Sequence, residues 1–302
     1  MDPMSTDLST ANTRSGNSGV SLLRSKAELR AALDEPRRAG RAIGLVPTMG
    51  YLHAGHLSLL RAARAQCDVV VMSLFVNPTQ FGPGEDLDRY PRDEERDLRL
   101  AGEAGADFVY APPVEVIYPH DFSTQVEVGG NLTAVLDGDS SRRGPSHFRG
   151  VTTVVAKLFN TVQPDVAYFG QKDAQQAAVI RRMVRDLDFP LHVEVMPTVR
   201  EPDGLAMSSR NAYLNAADRE RAVALSRALR AAEEGARAGS LAVGLEAARR
   251  ELDAAGIEPE YLEARDAEQL QPVTELNGSP VLVAVAARVG GARLIDNVLI
   301  RP

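Results

Sequence analysis

Two histidines placed three residues apart are the first feature of this sequence that indicates chemistry. They belong to the segment Pro47-Thr48-Met49-Gly50-Tyr51-Leu52-His53-Ala54-Gly55-His56, which follows a short apolar run and leads into an amphipathic stretch. A helix that begins here would offer free N–H groups and its positive dipole end, and the glycines allow close approach of a ligand. Both imidazoles would share one helical face and could donate to phosphate oxygens. A phosphate site is therefore predicted, with a metal pair or ordinary surface histidines as alternatives; a metal pair lacks a nearby third ligand.

Amide side chains end the longest apolar run, in the segment Phe75-Val76-Asn77-Pro78-Thr79-Gln80-Phe81. The amides of Asn77 and Gln80 can hold a small polar ligand through hydrogen bonds. The alternative is a capped turn, because Asn-Pro commonly opens one.

A lysine follows another predicted strand, in Phe169-Gly170-Gln171-Lys172-Asp173-Ala174-Gln175-Gln176. Lys172 is one of only three lysines in the chain, and its mobile cation suits phosphate. Asp173 can cap the following helix or contact a metal ion. Gln176 follows one turn later on the same face.

Two hydroxyls and an arginine form the last segment, Met207-Ser208-Ser209-Arg210-Asn211, which suits an anion. The alternative is an N-cap for the next helix, although Asn215 could serve that purpose. Three of the four segments follow predicted strands and the fourth lies on a loop between domains. Together they describe a cleft.

The elements that must position these segments alternate between strand and helix over the first two thirds of the chain. This pattern predicts an α/β fold, a Rossmann-like parallel sheet with helices on both faces. The predicted strands are Ala42–Val46, Val69–Val76, Ala106–Tyr110, Asp165–Tyr168 and Leu191–Met196, and the predicted helices are His56–Ala65, Arg92–Ala104, Val151–Val162 and Ala174–Leu187.

The pattern changes after Thr198 and predicts a smaller C-terminal α+β domain. Its predicted helices are Ala216–Ala238 and Leu241–Ala254, and its predicted strands are Glu260–Arg265, Val281–Val289 and Arg293–Ile300, with a hairpin turn at Gly290-Gly291. The predicted divisions are a flexible tail at residues 1–20, a nucleotide-binding domain at residues 21–198 and a lid domain at residues 199–302.

Composition excludes several classes of protein. A net charge of -7 disfavours a general nucleic-acid binder, and 44% hydrophobic residues predict a substantial core. No apolar run approaches the roughly 20 residues that cross a bilayer, and residues 1–20 lack the apolar core of a signal peptide. Cys67, the only cysteine, favours a reducing compartment, so a cytoplasmic protein is expected.

The four segments together resemble the pantothenate synthetase (pantoate–β-alanine ligase) family within the H-x-G-H nucleotidyltransferases. The likeness runs from about Leu45 to Asn211 and continues more weakly to Leu294-Ile295-Asp296-Asn297. It implies that ATP and pantoate form pantoyl adenylate and pyrophosphate, and that β-alanine then displaces AMP. It further implies Mg²⁺ with ATP, small-molecule partners only, and a homodimer. Gln171 and Ala174 depart from the family pattern, since a Glu and an aromatic residue are common there.

The resemblance also implies residue roles, with His56 as proton donor. The implied ATP site comprises Met49, Gly50, Tyr51, Leu52, His53, Ala54, Gly55, His56, Gly170, Gln171, Lys172, Asp173, Val199, Met207, Ser208, Ser209 and Arg210. The implied catalytic groups are His53, His56, Lys172, Ser208, Ser209 and Arg210. Asn77, Gln80 and Gln176 would bind pantoate, Gln80 would also neighbour β-alanine, and Asp97 is the candidate neighbour of magnesium.

Two alternatives remain open at this point. A nucleotidyltransferase acting on a phosphorylated substrate would need more cations in its substrate pocket than the Gln80–Gln176 pair offers. A non-catalytic ATP-binding protein would be expected to have lost part of the histidine, lysine or Ser-Ser-Arg motifs, which are all present. A tRNA synthetase is disfavoured by the acidic charge and the short chain.

Overall fold

The computed structural model describes residues 19–301. Residues 1–18, most of the segment predicted as a flexible tail, lie outside the described residues. Val20, assigned to the same segment, is 1% exposed and belongs to the apolar core. The folded part therefore begins before the predicted boundary.

Six parallel strands form the larger sheet. They are β1 (Ser21–Leu23), β2 (Ile43–Thr48), β3 (Val69–Leu74), β4 (Phe108–Tyr110), β5 (Val166–Gly170) and β6 (His192–Met196), in the order β1-β4-β3-β2-β5-β6. The order places β2 beside β5. From this pair, the sheet continues through β3, β4 and β1 on one side and through β6 on the other. Ligands of open α/β sheets bind at the carboxyl ends of strands at such a switch point. The segments that follow β2 and β5 carry the two histidines and Lys172.

Helices cover both faces of this sheet, as predicted. They are α1 (Lys26–Arg38), α2 (Ala54–Gln66), α3 (Glu94–Glu103), α4 (Val114–Ile117), α5 (Pro145–Val162) and α6 (Ala174–Asp186). Leu45 and Val71 of the sheet join one core with α1, α5 and α6, whereas Val46 and Met72 join the opposite core with α2 and α3. Strands buried on both faces need near-continuous apolar sequence, which explains the unbroken run in β3.

The C-terminal domain packs three helices against an antiparallel sheet. The helices are α7 (Ala216–Ala222), α8 (Ala224–Ala238) and α9 (Leu241–Ala254), and the strands are β7 (Pro259–Asp266), β8 (Val281–Val289) and β9 (Ala292–Ile300), in the order β7-β8-β9. One sheet face packs on α8 and α9. The other face joins a core with Leu136, Phe148 and Val179 of the first domain. The predicted fold class and the hairpin at Gly290-Gly291 are confirmed.

Several elements differ from the prediction, among them the short helix α4, which was not predicted. The strand β1 and the helix α1 were not predicted, although Ser25 and Glu28 form a capping box at the start of α1. Helix α5 begins at Pro145, six residues before the predicted start. The single helix predicted at Ala216–Ala238 is divided at Val223 into α7 and α8. Among the described residues, no helix has the length and apolarity needed to cross a membrane.

Candidate active site

The turn after β2 is held by a buried carboxylate from α3. Asp97 is 1% exposed, and its two oxygens accept hydrogen bonds from the backbone N–H groups of Tyr51 and Leu52, each at 2.7 Å. Gly50 adopts a φ of 87°, and a Cβ there would lie 2.6 Å from Leu74 Cδ1. Asp97, predicted as a magnesium neighbour, therefore positions the turn through both of its oxygens. Within residues 19–301, no cluster of three or more His, Cys, Asp or Glu side chains suits a metal ion.

The two histidines cap helix α2 reciprocally. His53 is the N-cap residue, and its Nδ1 accepts from Gly55 N at 3.2 Å, while His56 Nδ1 accepts from His53 N at 3.4 Å. Their rings stack with centroids 4.0 Å apart. A Cβ on Gly55 would lie 2.9 Å from the His53 ring, so glycine is needed beside it. Because His53 is the N-cap residue, the helix begins at Ala54, two residues before the predicted start.

The capping bonds also determine which ring nitrogen can serve a ligand. Because each Nδ1 accepts a backbone N–H, a neutral ring carries its proton on Nε2, which is left as a donor. Burial lowers the pKa of His53 to about 4, with a smaller effect from the Lys172 ammonium. Burial, then His53, then Lys172 hold the pKa of His56 well below its ordinary value. Near neutral pH both rings are thus uncharged hydrogen-bond donors.

The amide of Asn77 is fully occupied within the protein. Its Nδ2 donates to Gln80 Oε1 and to the Gly150 carbonyl, both at 3.1 Å, and its Oδ1 accepts from Tyr118 Oη at 2.8 Å and Thr79 Oγ1 at 2.9 Å. These bonds fit the capped-turn alternative, and Asn77, which was predicted to bind pantoate, also lines the first cavity. Its contact with Oε1 leaves Gln80 Nε2, which lies 3.3 Å from Met49 Sδ, as the amide group that faces the cavity.

A chain of buried polar groups fixes the backbone of Gln80. His147 Nδ1 lies 2.8 Å from the Gln80 carbonyl, and its Nε2 lies 2.9 Å from Arg143 Nη1. Since arginine can only donate, Nε2 accepts and Nδ1–H donates to the carbonyl. Burial and the neighbouring guanidinium lower the pKa of His147 to about 4. Arg143 in turn forms a bidentate pair with Glu85 at 2.9 and 2.8 Å.

The turn after β5 presents Lys172 and Asp173 to the cleft. Lys172 Nζ lies 3.7 Å from Asp173 Oδ1, and the lysine side chain is 19% exposed. Asp173 occupies the N-cap position of α6 but makes no side-chain capping bond, so of its two predicted roles the structure does not show the cap. Gln176, one turn further along, also faces the cleft.

Arg210 lies in the site but already has a carboxylate partner. Its Nε and Nη2 donate to the two oxygens of Asp86, both at 2.9 Å, which leaves Nη1 for a ligand. Ser208 accepts from Arg210 N at 3.2 Å, and Ser209 Oγ donates to the Tyr51 carbonyl at 3.3 Å. The last bond joins the second domain's first segment to the histidine turn.

The four segments meet around two adjoining cavities. The first has a volume of about 210 Å³, and the second, between the domains, about 750 Å³. Residues that line both are Met49, Gln80, Lys172, Asp173, Gln176, Ser208 and Arg210. The first is also lined by His53, Gly55, His56, Gly170, Val199, Met207 and Ser209. Gly50, Tyr51, Leu52, Ala54 and Gln171 were predicted in the ATP site but line neither cavity; they shape the turns that do.

An apolar wall of the first cavity was not anticipated from the sequence. Val151, Val154, Val155 and Leu158 lie on one side of α5, and Phe75 and Phe169 lie near them. Their spacing of i, i+3, i+4 and i+7 was available in the sequence, but such a stripe ordinarily indicates core packing. In this structure the stripe borders a polar site.

The geometry suits a phosphorylated ligand beside a small branched one. Lys172, Arg210 Nη1, two Nε2–H donors and the N-terminus of α2 surround one part of the cavity. The amides of Gln80 and Gln176 and the wall on α5 surround the other. Among the described residues that line the first cavity, the lysine and arginine side chains are Lys172 and Arg210 alone. The first cavity therefore offers cations for one phosphorylated ligand, and the further arginines line the second cavity: Arg89, Arg142, Arg143, Arg288 and Arg293.

Comparison with known proteins agrees with this arrangement. A family model described as pantoate-beta-alanine ligase matches residues 21–299. The pantothenate synthetase of Moorella thermoacetica is 55% identical over 284 residues, covering 93% of this chain and 99% of that protein. The crystal structure of pantothenate synthetase from Thermus thermophilus shares 52% identity with a TM-score of 0.87, covering 93% of this chain and 99% of that chain.

A more distant solved structure carries ligands. The pantoate-beta-alanine ligase of Francisella tularensis, complexed with beta-gamma ATP and beta-alanine, is 32% identical with a TM-score of 0.77, covering 93% of this chain and 97% of that chain.

Proposed function

Because this chain belongs to the pantoate–β-alanine ligase family, we propose that it condenses (R)-pantoate with β-alanine to form pantothenate, converting ATP to AMP and pyrophosphate. The observation that supports this best is the first cavity itself. It brings a cluster of phosphate-binding groups together with an apolar wall and two amides around one cleft.

The ATP phosphates are assigned to the polar part of the cavity. His53 and His56 donate through Nε2, and Lys172 supplies a full positive charge. Ser208 adds a hydroxyl and Arg210 adds its Nη1, whereas Ser209 donates its proton to the Tyr51 carbonyl and supports the histidine turn. These donors are fixed before the ligand arrives, which is the condition under which electrostatic stabilisation is most effective.

Pantoate is assigned to the part between Gln80, Gln176 and helix α5. Its two methyl groups on one carbon match the valine wall, because burying apolar carbon there contributes about 0.8 kcal/mol for each CH₂ group. The amides of Gln80 and Gln176 would hold its hydroxyl and carboxylate oxygens. Asn77 would act through Gln80 rather than by contact with the substrate. β-Alanine would then approach beside Gln80.

The reaction is proposed to proceed in two displacements. A pantoate carboxylate oxygen attacks the α-phosphorus in line, and the bond to the bridging oxygen of pyrophosphate breaks. The β-alanine nitrogen then attacks the acyl carbon of pantoyl adenylate, the acyl–oxygen bond breaks and AMP leaves. Fixed donors stabilise the charge that develops on the phosphate oxygens. The departing AMP phosphate or solvent would accept the amine proton.

Magnesium is proposed to enter as part of the ATP complex. Both oxygens of Asp97 are engaged with the backbone, so this side chain does not suit the ion. Asp173 is the only Asp or Glu among the described residues that line the first cavity. The phosphates themselves would therefore supply most of the oxygen ligands.

The remaining parts of the proposal concern organisation. Residues 21–198 would form most of the substrate site, and residues 199–302, which contribute Ser208–Arg210, would close over it as a lid. The protein would act in the cytoplasm. It would act as a homodimer, and sedimentation of the purified protein can test this oligomeric state.

The overall reaction is tested by omitting each substrate in turn. We expect release of pyrophosphate and AMP to require pantoate, and pantothenate to require β-alanine as well. Folded protein supplied with Mg²⁺ and all three substrates that releases no pantoate-dependent pyrophosphate would refute the proposal.

The adenylate is tested separately by isotope exchange. Labelled pyrophosphate should enter ATP when pantoate is present and β-alanine is omitted. Exchange that requires β-alanine would contradict an adenylate formed before the amine reacts, and would leave the overall reaction intact.

A further inference from the structure

A single asparagine of the last strand reaches the turn that carries Lys172. Asn297 of β9 is 5% exposed. Its Nδ2 donates to the carbonyls of Gln171 at 2.9 Å and Lys172 at 2.8 Å, and its Oδ1 accepts from Gln171 Nε2 at 3.0 Å. One side chain from the C-terminal domain thus bonds to the backbone of Lys172 and to the residue before it.

These contacts matter because the turn has little support of its own. Residues Gln171–Asp173 form one 3-10 turn between β5 and α6, and Asp173 makes no capping bond with its side chain. A buried carbonyl that loses its partner costs about 1–3 kcal/mol, so the turn would move to recover one. Any such movement displaces Lys172.

The neighbouring residue supports a second segment of the site. Asp296 pairs with Arg200 at 2.6 and 3.1 Å, and its Oδ1 accepts from Asn297 N at 2.8 Å. Arg200 directly follows Val199, which lines the first cavity. Adjacent residues of β9 therefore hold the lysine turn and the segment that leads to Ser208.

We propose that Asn297 is a positioning residue for Lys172, so that the C-terminal domain completes the phosphate site by fixing the backbone of the lysine turn. This inference rests on the proposed function, in which Lys172 binds ATP phosphate. Asn297 also lines the second cavity, but its amide nitrogen and oxygen are both engaged with the lysine turn, so it is proposed to act through the lysine.

The chain offers a matched control across the same domain interface. Asn131 Nδ2 also donates to two successive carbonyls of the opposite domain, those of Gln269, at 2.9 Å, and Leu270. Asn131 lines neither cavity. Replacing it removes a similar interdomain tie without touching the lysine turn.

The test is a double-mutant cycle with Asn297→Ala, Lys172→Ala, both together, and Asn131→Ala. Measurements are kcat and KM for ATP, the Kd of ATP by calorimetry, and the melting temperature. We expect Asn297→Ala to lower kcat/KM for ATP at least tenfold and to weaken ATP binding, while Asn131→Ala stays within twofold. In the Lys172→Ala background, Asn297→Ala should change either quantity by less than twofold.

Equal losses from Asn297→Ala in both backgrounds would overturn the proposal, as would an equal loss from Asn131→Ala. If Asn297→Ala fails to fold, Asn297→Ser takes its place, because a hydroxyl can donate to one of the two carbonyls. For Asn297→Ser we then expect a loss of kcat/KM for ATP that is smaller than the loss caused by Lys172→Ala and that disappears in the Lys172→Ala background. A loss of the same size in both backgrounds contradicts the proposal. An inactive wild-type protein would refute the proposed function, whereas equal losses in an active protein would refute only the role of Asn297.

Discussion

At the residue scale, the two nitrogens of His56 have different tasks. Nδ1 accepts a backbone N–H as part of the helix cap, and Nε2 faces the proposed phosphates. The ring is uncharged near neutral pH because burial opposes its protonation. We therefore expect hydrogen-bond donation to the leaving group, which does not need a charged imidazole.

Amide replacements separate these two tasks. His56→Asn keeps an acceptor near the Nδ1 position and loses the outer donor, so kcat/KM for ATP should fall at least tenfold, or about 1.4 kcal/mol. His56→Gln extends an amide nitrogen toward the Nε2 position and should recover part of that loss. Steady-state rates with the exposed His120→Gln as control provide the measurement. A better enzyme with Asn than with Gln would contradict the assigned tautomer.

The sequence predicted the chemical types at the site better than their individual tasks. His53, His56, Lys172 and Ser208–Arg210 meet in one cleft, as indicated by the positions of the first three at strand ends and of the last segment on a loop between domains. The bonds between Asp97 and the histidine turn could not be predicted, because its partners lie 45 and 46 residues away in the chain. The cap formed by the histidines was also missed, since imidazole is an unusual capping group.

At the scale of elements, the loop after Gln80 carries two adjacent acids that hold different parts of the site. Glu85 pairs with Arg143, which leads through His147 to the backbone of Gln80. Asp86 pairs with Arg210. The loop thus supports the proposed pantoate and ATP subsites through separate ion pairs.

Exchanging each acid for its amide should therefore change the KM of a different substrate. Glu85→Gln is expected to raise KM for pantoate severalfold and to leave KM for ATP nearly unchanged. Asp86→Asn should do the reverse, because Arg210 loses its bidentate partner. Steady-state kinetics with each substrate varied at saturating levels of the others measure both. Identical effects of the two variants would show that the loop acts as one undivided unit.

Helix α5 approaches the Gln80 turn so closely that only glycine fits at residue 150. A Cβ there would lie 2.5 Å from the Thr79 carbonyl oxygen and 2.7 Å from Gln80 N. Gly150→Ala should displace the turn, raise KM for pantoate and lower the free energy of unfolding by about 1–3 kcal/mol. Chemical denaturation and kinetics measure these effects. The exposed Gly129→Ala, where nothing lies within 4 Å of the added atom, is the control; equal behaviour of both variants would contradict the steric argument.

Most elements could be predicted from apolar periodicity, and the errors have physical causes. Helix α5 starts early because Pro145 suits a first helical turn, while the prediction followed the apolar residues alone. The signal for α1 was present in Ser25 and Glu28 and was not used. The valine wall could not be distinguished from core, because a cavity is a property of the assembled fold.

At the scale of the whole molecule, one buried and two partly buried histidines couple stability to pH. The pKa values of His53 and His147 lie at about 4 and that of His56 lies well below its ordinary value, mainly because of burial. In the unfolded chain histidine has a pKa of about 6.5. Between these values the unfolded state binds more protons, so the stability that these three groups contribute is fully present above pH 6.5 and is lost as pH falls toward 4.

Removal of one of these histidines should make the free energy of unfolding depend less steeply on pH. His147→Gln is expected to reduce the fall in unfolding free energy between pH 7.5 and pH 5 by about 2 kcal/mol. Denaturant unfolding at each pH provides the measurement. Asn131→Ala lowers stability without removing a titrating group, so its profile should keep the wild-type slope. An unchanged slope in His147→Gln would contradict the assigned cause.

The tie between β9 and the lysine turn bears on how such enzymes can be recombined. Gln171 and Asn297 lie 126 residues apart and on opposite sides of the boundary at residue 199, yet each side chain bonds to the other residue. A hybrid that takes its two lobes from different relatives separates this pair. Where the two relatives differ at residue 171 or residue 297, the hybrid would combine a lysine turn from one protein with a last strand that evolved beside a different turn in the other. The smallest segment that can be exchanged intact is therefore larger than either lobe.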